Sequence, residues 1–132
     1  MFQGVYVKYL LDTNALIFSL CNPSGLSARA TKLITSEKEL FVSVVSFWEI
    51  AIKQSIGKLA IKADIPKIES ICIERGIEII SIDSVEIEGI KQLPHLHNDP
   101  FDRLLISQAK LRELAIITRD TIIPKYDVKT VW

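Results

Sequence analysis

The chain has little that would tie a small fold together covalently. Only two cysteines, Cys21 and Cys72, occur in 132 residues, neither in a C-x-x-C pair nor beside a histidine cluster. Neither a disulfide framework nor a zinc site is therefore expected. Both read as free, buried thiols. Neither sign of charge prevails, with 16 Lys and Arg against 16 Asp and Glu. That balance excludes a uniformly basic nucleic-acid binder, but an acidic metal site and a basic substrate rim can cancel within one small domain. No apolar run is long enough to cross a bilayer, and the opening MFQGVYVKYLLD lacks a basic leader followed by a long apolar stretch. No membrane association is expected, and a reducing cytoplasm is the natural location. Repeats, low-complexity tracts and Gly/Ser-rich linkers are also missing, so residues 1–132 are expected to fold as one domain.

What is present suits a compact α/β protein. Apolar residues make up 48% of the chain and charged residues 24%. Short apolar, β-branched or aromatic runs at Val7 to Leu11, Leu40 to Val45, Ile77 to Ile82, Ala115 to Thr118 and Val128 to Val131 predict five buried strands. Helical spacing and start signals fall between them, at Ala15 to Leu20, Ser27 to Thr35, Phe47 to Ser55, Ile65 to Arg75, Val85 to Leu93 and Pro100 to Leu114. Gly76 stands where a glycine closes a helix. Strands that alternate with helices and are apolar on both faces imply a mostly parallel sheet covered on both sides, a three-layer α/β/α sandwich. Ligands of such sheets gather at the carboxyl ends of the strands, near a topological switch point.

Carboxylates stand at those ends. Asp12 closes the first strand in LLDTN, where it can also serve simply as a helix cap. Glu49 follows the second strand in Ser46-Phe47-Trp48-Glu49, a spacing that also reads as an S-x-x-E capping box. In HNDPFDR, Asp99 reads as an N-cap, Pro100 as the first helical residue and Asp102 as an acid on the first turn, ahead of an apolar helix. Asp120 ends IITRD, just after an apolar strand, where a turn role is open to it. If the strands are parallel, Asp12, Glu49 and Asp120 share one sheet edge, and Asp102 joins them if the connection over 83–99 leads there. Like charges in one cleft raise one another's pKa unless cations neutralise them. Hard oxygen donors without cysteine or paired histidine suit Mg2+ or Mn2+, which complete their shells with water and substrate phosphate. Such ions assist in-line attack of water on a phosphodiester, and no covalent nucleophile is then required. Lys53, Arg103 and Arg119 are candidate phosphate contacts, each with an alternative as a solvated charge. Thr13, Asn14 and Thr118 are candidates for orienting ligands or water.

The order and spacing of LLDTNALI, VSFWEIAIK, HNDPFDRLLISQA, IITRD and YDVKTVW, which together span nearly the whole chain, resemble the PIN-domain family. Within it the chain is most similar to the VapC-like toxins of bacterial and archaeal toxin–antitoxin pairs. The resemblance implies a metal-dependent ribonuclease with a central parallel sheet, and it matches the family's acidic positions to Asp12, Glu49, Asp102 and Asp120. Asp99 is an additional acid beside the third position; either member of the DPFD pair can reach a metal, and the D-x-x-L-I-S-Q-A continuation favours Asp102. The resemblance further implies a cognate antitoxin seated in the active-site groove and a homodimer. Two other readings stand beside it. A phospho-accepting receiver domain shares the architecture, but the sequence has no adjacent acidic pair after strand one and no isolated phospho-acceptor Asp ending a central strand with a later lysine in a matching position. A catalytically inactive module of the same fold is weakened by the presence of every family acid. Leu16, Ile17, Phe18 and Leu20 leave the first helix little polar face, so it and the helix from Phe47 are expected either to expose apolar surface to a partner or to bury it in ordinary core packing.

Overall fold

The computed structural model describes residues 7–36 and 39–132, so residues 1–6, part of the segment in which a leader was sought, lie outside the described residues. Among the described residues the elements run β1 (Tyr9–Leu11), α1 (Thr13–Cys21), α2 (Ala28–Ser36), β2 (Leu40–Ser43), α3 (Val44–Ser55), α4 (Ile65–Glu74), β3 (Glu78–Ile80), α5 (Ser84–Gly89), α6 (Pro100–Arg112), β4 (Ala115–Ile117) and β5 (Thr130–Val131). All five strands fall within the expected runs and are shorter than those runs. They form one sheet in the order β3-β2-β1-β4-β5, and every pairing is parallel. The chain winds outward from β1 through β2 to β3, then crosses to the other side of β1 for β4 and β5. That reversal leaves a crevice at the carboxyl ends of β1 and β4.

The period-2 alternation of strand side chains divides the core between the two faces of the sheet. Leu10, Ile80 and Ile116 face Leu105, Ile106 and Ala109 of α6. Their neighbours Leu11, Val42 and Ile117 belong to the opposite cluster, with Ala15 and Leu16 of α1, Ile50 of α3 and Ile68 of α4. Both faces are thus covered, giving the three-layer sandwich. Full burial of each such Leu or Ile stabilises the fold by roughly 1.5–3 kcal/mol.

Some local expectations are corrected. The helix expected from Phe47 begins at Val44, because the Ser43 hydroxyl accepts the N–H of Val45 and caps it. Ser46 therefore lies inside α3, and the capping box with Glu49 does not form. The helix expected to reach Leu93 ends at Gly89 and continues as a 3-10 turn over Ile90–Gln92. The last helix stops at Arg112, with Glu113 in the left-handed region at φ 58°. Cys72 is buried, but Cys21, the last residue of α1, is exposed. Gly76 follows α4 with φ +77° and closes it as expected.

The connection between β3 and α6 decides where Asp102 goes, and it is fixed by α5. Asp83 caps α5 in a capping box with Glu86, whose carboxylate also takes bonds from Gln108 and Arg112 of α6. The Ser107 hydroxyl donates to the Glu86 carbonyl at 2.6 Å. Gly89 permits this contact, since a Cβ there would stand 2.5 Å from the Ser107 oxygen.

Candidate metal centre

Asp12 leaves β1 at the crevice. Its N–H donates to the Ile117 carbonyl of β4, and its Oδ1 accepts the N–H of Ala15, so the carboxylate both caps α1 and is fixed in place. It is 4% exposed. Burial lifts its pKa to about 6, with the charges of Asp120 and Glu49 adding to the rise and the Thr118 side chain and Ala15 N–H opposing it.

Glu49 arrives from the second turn of α3 and is also buried. One oxygen, Oε2, pairs with Lys53 Nζ at 2.9 Å. The other, Oε1, is buried with no hydrogen-bond partner among the described residues. An orphaned carboxylate oxygen is costly unless something outside the chain satisfies it.

The remaining acids come from α6 and the segment after β4. Asp99 caps α6, its Oδ1 accepting the N–H groups of Phe101 and Asp102. Asp102 follows on the first turn. Burial, then the charges of Asp99, Asp12, Glu49 and Asp120, push its pKa up to about 8. Asp120 goes the other way. Burial tends to raise it, but the N–H groups of Ile123 and Ile122, which donate to Oδ1 at 2.9 and 2.7 Å, and His97 hold it below the usual Asp range. His97 Nε2 lies 3.0 Å from Asp102 Oδ2 and 3.3 Å from Asp120 Oδ2.

Asp12, Glu49, Asp102 and Asp120 therefore come from four separate segments into one electrostatic neighbourhood beside the switch point. The chemistry of this donor set suits a divalent cation, and among the described residues Asp102 and Asp120, with His97, bring ligand atoms within 4.8 Å of one another. The donors are hard oxygens, burial and repulsion raise the pKa of Asp12 and Asp102, and Glu49 Oε1 has no partner among the described residues.

The other candidates divide. The Thr13 hydroxyl donates to the Ser46 hydroxyl at 3.0 Å, joining α1 to α3 behind the acids. Thr118 is buried, with its side chain shared between Asp12 and the Asp120 N–H. Asn14 is exposed on the first turn of α1. Lys53 is partly exposed and held by Glu49, while the exposed Arg119 lies 4.6 Å over the Phe18 ring. Arg103 is corrected: it is 8% exposed, and its guanidinium binds the carbonyls of Pro94 and Ile90 and the Tyr126 hydroxyl. It braces the approach to α6 and offers no phosphate contact.

Sequence reasoning missed Ser46 and His97. The signal for His97 was scarcity: the chain has two histidines, His95 and His97, both just ahead of the DPFD helix start.

A profile of the family described as PIN domain matches residues 9–129. Among solved structures, the fold is similar to a chain of VapBC2 from Rickettsia felis, solved bound to a DNA fragment from their promoter. The TM-score is 0.71 and the identity 16%, covering 95% of this chain and 98% of that one. It is also similar to FitAcB from Neisseria gonorrhoeae, with TM-score 0.66 and 18% identity over 94% and 96% of the two chains. A toxin–antitoxin complex from Klebsiella pneumoniae gives TM-score 0.63 and 18% identity over 95% and 97%. At such identities the likeness is one of fold. No curated protein sequence matches the chain.

Proposed function

The chain belongs to the PIN-domain family of nucleases, and from that premise we propose that it is a metal-dependent ribonuclease, the VapC-like toxin of a toxin–antitoxin pair. The observation that carries this reading is the gathering of Asp12, Glu49, Asp102 and Asp120 at the switch point, with Glu49 Oε1 buried and unpartnered. These residues are the proposed ligands of Mg2+ or Mn2+, with Asp99 serving as the cap of α6. A divalent cation supplies Lewis acidity to a phosphodiester and to the water that attacks it.

The protein's share of the work is to hold the donors before substrate arrives. Ala15 N–H and Thr118 fix Asp12, Ile122 and Ile123 N–H fix Asp120, and the Asp99 cap sets the start of the helix that carries Asp102. Carboxylates fixed in this way need little reorganisation during the reaction. Arg119 and Lys53 stand at the rim as contacts for the RNA backbone.

The toxin reading brings a cognate antitoxin, a homodimer and a cytoplasmic site of action. Support for a protein partner comes from α3 and its C-cap, where Trp48, Ile52 and Ile56 recur every fourth residue and are 55%, 38% and 59% exposed. Incubating purified protein with mixed cellular RNA, with Mg2+, Mn2+ or chelator, and mapping the cut ends tests the reading. Discrete cuts that need the cation are expected, and intact RNA under every condition rejects a ribonuclease.

A further inference from the structure

His97 sits against two proposed cation ligands, and its Nε2 lies within 4.8 Å of a carboxylate oxygen from each, close enough to read as a third ligand. The other ring nitrogen decides the matter. Nδ1 faces the backbone N–H of Asp99 at 3.2 Å. A backbone N–H can only donate, so Nδ1 carries the lone pair and the ring proton sits on Nε2. There it bonds Asp120 Oδ2 at 3.3 Å, with Asp102 Oδ2 3.0 Å from the same nitrogen. A histidine that ligates a metal has the reverse arrangement, donating its far N–H to a carbonyl or carboxylate. Freeing Nε2 for a cation would force a proton onto Nδ1, donor against donor with Asp99.

The ring is held in this orientation from behind. His97 N–H donates to the Tyr126 hydroxyl at 2.8 Å, and Arg103 reaches the same hydroxyl at 3.1 Å while gripping the Pro94 carbonyl at 3.0 Å. The buried Arg103 thus stiffens the segment that presents His97.

We propose that His97 is a positioning residue, a fixed Nε2–H donor to Asp120 whose ring lies against Asp102, clipping the two carboxyl groups together and leaving the cation an all-oxygen ligand set. The inference rests on the reading of those two acids as cation ligands. It assigns work to His97 that no ligand role would require, because one ring nitrogen touches a carboxyl group from α6 and one from the segment after β4. Without the clip, two carboxyl side chains on separate elements are free to turn apart. Cation affinity then falls by about 10-fold to 100-fold, the usual effect of losing a group that orients a ligand.

Three measurements test this. Nitrogen-15 NMR of the metal-free protein reads the ring directly: a proton on Nε2 alone is expected, and a proton on Nδ1 overturns the clip whether or not any metal binds. Pulsed EPR of the Mn2+-loaded protein should show no directly coordinated histidine nitrogen, and such a coupling, lost in His97→Ala, also overturns it. His97→Ala should weaken Mn2+ binding by about tenfold or more, and His97→Gln, which places an amide N–H near the Nε2 position, should restore most of it. Equal affinity in all three proteins overturns the clip, and so does a Gln variant no better than Ala. Wild-type protein that binds no Mn2+ rejects the metal reading itself, and the NMR result then decides the His97 geometry separately.

Discussion

Asp12 carries two roles that one substitution separates. Asn caps a helix about as well as Asp, so Asp12→Asn should keep the bond to Ala15 N–H while removing a charge from the cluster. Metal-dependent RNA cleavage is expected to fall on the order of 100-fold or more, while thermal unfolding in chelator stays equal or shifts upward. Near-normal cleavage by the folded variant removes Asp12 from the mechanism. Asp102 gives a pH signature. Its pKa rises from 3.8 to about 8, so the folded protein holds that proton more tightly than the unfolded chain. Metal-free stability should therefore fall as pH climbs through that interval, and Asp12, raised to about 6, adds to the lower part of it. Asp120 acts oppositely, its contribution being present above the ordinary Asp range and lost on acidification. Denaturant titration over this pH range should show the slope in wild type and a flatter one in Asp102→Asn; identical slopes contradict the assignment. The acids were legible because each adjoins an apolar run. His97 was not, because its meaning depends on a fold that brings residues 97, 102 and 120 together.

Elements were legible where hydrophobic period and capping chemistry agreed. Asp99-Pro100 starts α6 and Gly76 ends α4 as the sequence suggests. The start of α3 was hidden because Val44 and Val45 favour a strand, yet Val45 is buried in the core cluster shared with α6, and the Ser43 cap turns the chain into a helix at once. Similarly, nothing in Arg112-Glu113-Leu114 signals a stop. Glu113 enters the left-handed region, where its N–H bonds the Ala109 carbonyl. A residue with a Cβ is strained there, so Glu113→Gly should stabilise the protein by about 1 kcal/mol and raise the unfolding temperature without changing cleavage. A lowered unfolding temperature in a calorimeter contradicts this account of the α6 terminus.

For the whole molecule, sheet order separates readings that composition and element types left together. In the flavodoxin-like order, which receiver domains share, the first strand lies beside the third. Here β1 lies between β2 and β4, which sets the crevice between Asp12 and the Thr118–Asp120 segment. The partner face is narrower than the sequence suggested. Leu16 of α1 is fully buried, and Ile17 and Leu20 pack partly buried against the same core, so the exposed apolar line belongs to α3.

The central claim is that the carboxylates at the crevice bind a divalent cation. It is tested most directly by calorimetric titration of Mn2+ into metal-free protein near pH 7, in two buffers of different ionisation enthalpy. With its pKa at about 8, Asp102 is largely protonated before the cation arrives and must lose that proton on binding. The account predicts saturable binding whose heat depends on the buffer through proton release, sharply weakened by Glu49→Gln or Asp102→Asn. Absence of binding, or binding that those substitutions leave unchanged, contradicts it.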